Sequence, residues 1–186
     1  CLLLGYPAAY IMAMADFKTP QVMAMLFILP MWINFLLRTI ATVELFRMFG
    51  LPLGEGALLF GMVYDFLPFM IYPIYNTLQK MDTSLIEAAH DLGAKRSQVF
   101  MKVTLPLSVP GIYSGIVMVF MPTVSTFAIA ELLTHNKVTL FGSLIQRCFG
   151  EGGIAMWNYG AALSLIMLII IGLTSFFGGD KEDINR

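Results

Sequence analysis

DTSLIEAAHDLGAKRSQVFMKVTLP, residues 82–106, is the polar passage on which the reading of this chain turns. Its local chemistry predicts two short helices. Ser84 with Glu87 three residues on has the spacing of a capping box, in which the hydroxyl accepts from a free backbone N–H and the carboxylate reaches back to the cap. Gly93 is suited to end that helix, because glycine adopts the left-handed position beyond a helix terminus without steric cost. Ser97 can cap a second turn through Val99, Phe100 and Val103, after which Leu105 and Pro106 lead into an apolar run. Leu85, Ala88, Ala89 and Leu92 share one narrow apolar stripe of the first helix, and the alanines keep its middle flat. A knob of that shape can seat in a groove.

On both sides of this passage the charges vanish. Gly56 to Gln79 is interrupted only by Asp65, and Pro106 to Ala130 has no charge at all. A helix needs about 20 apolar residues to cross about 30 Å of hydrocarbon, so each run can span. Outward from these, spans are expected over about 1–15, 19–43, 56–79, 106–130 and 154–178, with a polar segment over 80–105, in a single domain covering 1–186. The first run is short and has no basic flank, which reads as a truncated span whose beginning is absent. The fold class is therefore an all-α polytopic membrane helix bundle of about five spans. Prolines 30, 68, 73, 110 and 122 lie inside the runs, where each frees a carbonyl that must find a partner on a neighbouring helix or in a wet cavity.

Composition agrees. Hydrophobic residues make up 58% of the 186, and charged residues 12%, against about 25% in a soluble domain. Eleven basic and twelve acidic side chains leave a net charge of -1, with no basic patch to hold nucleic acid. Cys1 and Cys148 have neither the spacing of a zinc site nor that of a disulfide framework.

Lys80, Lys95, Arg96 and Lys102 put the 80–105 segment in the cytoplasm by the positive-inside rule. Alternation then places Cys1 outside and Asp16–Lys18 and the tail inside. Seven basic residues fall inside and four (Arg38, Arg47, Lys137, Arg147) outside.

Glu87-Ala88-Ala89, Gly93 and Leu105-Pro106 resemble the E-A-A, G and L-P loop of the permease subunits of bacterial ABC importers. Leu4-Gly5-Tyr6-Pro7, Pro30-Met31-Trp32, Leu37-Arg38-Thr39, Gly61-Met62-Val63-Tyr64, Leu67-Pro68-Phe69-Met70, Pro122 to Leu133 and Gly160-Ala161-Ala162-Leu163-Ser164 are similar to permeases of spermidine/putrescine importers. The resemblance implies a type I importer permease in the bacterial cytoplasmic membrane, with Ser84, Leu85, Glu87, Ala88, Ala89, Leu92, Gly93, Phe100, Leu105 and Pro106 coupling it to an ATPase subunit. It also implies a second permease subunit, an extracytoplasmic polyamine-binding protein, and ATP held on the ATPase rather than any cofactor on this chain. Such permeases normally have six spans and a longer outer connection than Phe46 to Gly56, so a fragment or a shortened form is expected.

A carboxylate in mid-span costs roughly 2.5–3.5 kcal/mol on insertion scales, which makes Asp65 a functional candidate. Asp65 and Glu131, with Trp32, Tyr64 and Phe127 offering cation–π faces, suit a pathway for a polycation. The competing reading is a structural pair of Asp65 or Glu131 with Arg38. Glu87 suits both a cap and a coupling contact, and His90 and His135 have no second ligand at a metal spacing and are assigned no role. Tyr72 and Tyr75 fit an interfacial belt as well as a cavity edge. Gly111 and Gly115 form a G-x-x-x-G that would admit a second subunit or a helix of the same chain.

The chain has no phosphate-loop motif, so it is read as a transport subunit without an ATPase site of its own. The rival readings are a permease for ferric iron, thiamine or an anion, and an ion-driven carrier or channel. An intramembrane enzyme lacks its motifs here: there is no H-E-x-x-H and no G-x-S-x-G.

Overall fold

The chain is described from a computed structural model covering residues 1–14, 29–135, 137–150 and 153–183. Among these residues all regular structure is helical. The helices are α1 (Leu2–Met14), α2 (Phe35–Met48), α3 (Glu55–Gln79), α4 (Thr83–Asp91), α5 (Arg96–Val99), α6 (Leu105–Ser125), α7 (Ala128–Thr134), α8 (Phe141–Gly150) and α9 (Gly153–Asp183). Among the described residues, three stretches are long and apolar enough to cross a membrane: Glu55–Gln79, Arg96–Ser125 and Met156–Ser175. They correspond to the third, fourth and fifth expected spans. α1 is a shorter apolar helix where the truncated span was expected.

The second expected span, 19–43, is not one helix where it is described. A 3₁₀ turn at Leu29–Trp32 precedes α2. Asn34 restarts the helix, its side-chain oxygen accepting from the Leu36 amide at 2.9 Å, and α2 then runs on to Met48. The remainder of that span, with the Asp16–Lys18 turn, lies outside the described residues.

The fourth span also departs from expectation at both ends. At its start α5, a π-helical stretch Phe100–Thr104 and α6 form one rod, so the second short helix is the base of the span. The π register, closed by Leu105 N–H donating to the Phe100 carbonyl, widens the turn just ahead of Pro106, whose ring would otherwise clash with the carbonyl four residues back. At its far end the rod stops at Ser125. The Ser125 hydroxyl bonds back to the Met121 and Pro122 carbonyls at 3.2 and 3.3 Å, and Thr126 turns extended before α7 resumes.

α3 is the spine. Its C-terminal half packs Met70, Ile71, Ile74, Tyr75 and Leu78 against Ala9 and Met12 of α1. Its N-terminal half packs Ala57, Leu58 and Phe66 with Val43 of α2 and Ile129, Ala130 and Leu133 of α7. Tyr75 is thus a core residue rather than part of a belt, whereas Tyr72 is exposed. Along the third side lies α6, and here Gly111 and Gly115 have their use. A Cβ at Gly111 would sit 2.5 Å from Thr77 Oγ1 and 3.0 Å from the Pro73 carbonyl, and one at Gly115 would sit 3.2 Å from the Met70 carbonyl. The G-x-x-x-G therefore serves close packing of α6 on α3 inside this chain.

Candidate coupling helix and the buried charge pair

α4 hangs between the two packed membrane helices, and its ends are sharply defined. The N-cap is Asp82, not Ser84: the Asp82 carboxylate accepts from the Ser84 amide at 2.9 Å. Both residue types cap well, but the helix starts at Thr83, which puts Ser84 and Glu87 inside it and leaves no reciprocal box. The Ser84 hydroxyl and amide hold the Asp82 carboxyl below its ordinary range, and its negative charge also complements the helix dipole.

Gly93 ends the helix as expected, at φ +81°. Its amide donates to the His90 carbonyl at 2.8 Å, and the Ala94 amide to the Ala89 carbonyl at 3.1 Å. Those two bonds form a Schellman closure, which requires the left-handed conformation at Gly93. The next helix is capped by Lys95 rather than Ser97, with Gln98 Oε1 accepting from the Lys95 amide at 2.9 Å.

On α4 the predicted residues divide by exposure. Leu85, Glu87, Ala88 and, just past the end, Leu92 face out, Leu92 at 89%. Ala89 is half-buried. Phe100 turns away from this surface and lies edge-on to Tyr6 and Tyr10 of α1, with ring centroids 6.0 and 5.4 Å apart. Leu105 and Pro106 belong to the membrane rod. The ten predicted residues are therefore an exposed helix and its anchorage.

The predicted pathway residues do not form one site. Asp65 is 1% exposed. Its Oδ1 lies 3.3 Å from Arg38 Nε, and its Oδ2 accepts from Thr39 Oγ1 at 3.2 Å. The Arg38 guanidinium in turn lies 5.9 Å from the centroid of the Tyr64 ring. This is the structural pair, a polar tie between α2 and α3. Trp32 is 87% exposed on the 3₁₀ turn. Phe127 sits at the α6–α7 break, and Glu131 is exposed one turn further on. Of these five residues, only Phe127 lines the cavity of about 230 Å³ at that break, together with Phe35, Phe66, Pro122, Ser125, Thr126 and Ala128.

Residues 5–179 match the family model described as binding-protein-dependent transport system inner membrane component. The chain belongs to that family.

Among curated proteins, this permease is 35% identical to the spermidine/putrescine transport system permease protein PotB of Escherichia coli (strain K12), over 93% of its own length and 68% of the relative's. It is also 35% identical to the protein of that name from Haemophilus influenzae, over 95% of itself and 67% of the relative. Among solved structures it resembles the MetNI methionine ABC transporter, with a TM-score of 0.67 at 19% identity, covering 96% of this chain and 84% of that one. That likeness shows the fold. The family and the apolar helices together make the chain a multi-pass inner-membrane permease, and its relatives are transport subunits.

Proposed function

We propose that this chain is the membrane-spanning subunit of an ATP-driven importer that moves spermidine and putrescine across the cytoplasmic membrane. A separate pair of ATPase subunits would supply the energy, a second permease the other half of the path, and an extracytoplasmic binding protein the cargo. The observation that carries the coupling role is α4: a capped, Schellman-closed helix that presents Leu85, Ala88 and Leu92 outward between two packed membrane helices. Movement of α4 by a closing ATPase would be passed through Gln79 to α3 and through Arg96 to the α6 rod. Tilting of those helices would turn the pathway from outward to inward, as alternating access requires.

The polyamine assignment is supported by the named relatives at 35% identity. In this reading Asp65 is committed to Arg38, while Glu131, which has no ion-pair partner among the described residues, is the acid free to meet a cargo ammonium near Phe127. ATP is held by the ATPase, and the chain itself holds no cofactor. The test is uptake of labelled spermidine by vesicles carrying the assembled transporter, with ATP on the cytoplasmic side and unlabelled putrescine as competitor. ATP-dependent uptake that putrescine inhibits is expected. Uptake indifferent to ATP would overturn the importer reading, and ATP-dependent uptake of another cargo alone would overturn the polyamine assignment.

A further inference from the structure

A second cavity, of about 430 Å³, opens on the cytoplasmic side of the bundle beneath α4. Three elements enclose it. α1 contributes Tyr10, Ile11 and Met14, α4 contributes Ile86 and His90, and the base of the α6 rod contributes Arg96, Val99, Phe100 and Thr104. The coupling role leaves this space without an occupant.

Its chemistry is graded along one direction. The wall nearer the membrane is apolar and aromatic, where Phe100 meets Tyr10 edge-on. The rim nearer the cytoplasm carries Arg96 and His90, both exposed. Neither has a carboxylate partner among the described residues, and no Asp or Glu lines the cavity. The level in the membrane is set by the chain itself: the apolar rod begins at Arg96, directly after the polar segment that holds α4. These residues therefore lie where hydrocarbon gives way to headgroups. A basic pocket between helices on the cytoplasmic side, with an apolar wall below it, matches an anionic phospholipid in both of its parts.

We propose that this cavity binds an anionic phospholipid, its phosphate held by Arg96 and the His90 N–H and its acyl chain against Ile11, Met14 and Phe100. Because the lining joins α1, α4 and the α6 rod, a lipid seated there braces the coupling helix against the bundle. The inference rests on the membrane placement of the family and not on the identity of the cargo.

Occupancy can be read directly. Ile11 is 55% exposed and lines the cavity, so Ile11→Trp places a fluorophore at the site without filling the core. The emission it adds to the assembled transporter is measured in vesicles of phosphatidylcholine containing brominated phosphatidylglycerol or, at the same mole fraction, brominated phosphatidylcholine. Since one basic residue near an anionic surface favours binding by about fivefold, quenching by the phosphatidylglycerol is expected at about fivefold lower mole fraction. Arg96→Gln should remove that preference, and because Arg96 is exposed the variant remains folded. Equal quenching by the two lipids would overturn the proposal. So would a preference that millimolar inorganic phosphate abolishes, because the site would then take a free anion instead of a lipid. Failure of spermidine uptake would leave this result untouched, which keeps the two readings separable.

Discussion

α3 and α9 are near twins by hydropathy and opposites by packing. Their most apolar windows have mean hydropathies of 1.6 and 1.8, yet 50% of the α3 window is buried in the bundle and only 6% of the α9 window. Hydropathy decides that a helix enters the membrane. What holds it to its neighbours is something else, because lipid solvates leucine as well as another helix does. α3 is tied by close approach at Gly111 and Gly115 of α6, and by the Arg38–Asp65–Thr39 contact to α2. On α9 the side chains of Leu165, Leu168, Ile169 and Leu173 face outward. It approaches a neighbour closely at Gly160, where a Cβ would meet Cys148 at 2.9 Å. α9 in the membrane and α4 at its edge are among the exposed surfaces left for lipid and partners.

The hardest break of this comparison is Asp65→Leu, which strands Arg38 as a buried unpaired charge. A loss of about 3–5 kcal/mol is expected, read as loss of folded protein in detergent thermal melts. Adding Arg38→Met should restore most of it, because the cost lies in the orphaned charge and not in the missing pair. Next is Gly115→Leu, which forces α6 off α3 and should cost about 1–3 kcal/mol, whereas Leu168→Ala on α9 should stay within about 0.5 kcal/mol in the same melts. Equal effects of those two would erase the distinction between the helices.

Two changes on α4 sharpen the contrast from the exposed side. Gly93→Ala puts a Cβ on a left-handed residue at about 1–2 kcal/mol. It should loosen the end of α4, seen as faster exchange of the Ala94 amide, while the melting of the bundle stays unmoved. The smallest effect concerns Asp82. Its carboxyl is held below the ordinary range, so the cap is complete above that range and is lost as the pH falls through the lowered value. Protection of the Ser84 amide should be flat from neutral pH down to about pH 4 and decline below it. Asp82→Ala should give the unprotected state throughout.

Much of this was legible in the sequence because the signals were local. Charge-free runs mark a span without any knowledge of its neighbours, and a glycine after an apolar stripe marks a helix end. The capping residue was harder, since Asp82 and Ser84 cap equally well and only the first turn decides between them. The break at Thr126 has no glycine or proline within it; the Ser125 hydroxyl beside it bonds back to the Met121 and Pro122 carbonyls, a bond that Thr39, Thr42 and Thr123 also make inside unbroken helices, so it carries no distinct sequence signal. The Asp65–Arg38 pair joins residues 27 apart in the chain. Asp65 read alone therefore suited a cargo pathway as well as a structural tie, and Thr39, the third member, carried no signal of its own.

The central claim is that α4 passes the motion of an ATPase to this bundle. Its most direct test is spermidine uptake and ATP hydrolysis measured together in the reconstituted transporter carrying Leu85→Glu and Leu92→Glu, two changes confined to exposed side chains. The account predicts an unaltered melting temperature for the chain, with uptake and cargo-stimulated hydrolysis both lost. Uptake at the wild-type rate in that variant would contradict it.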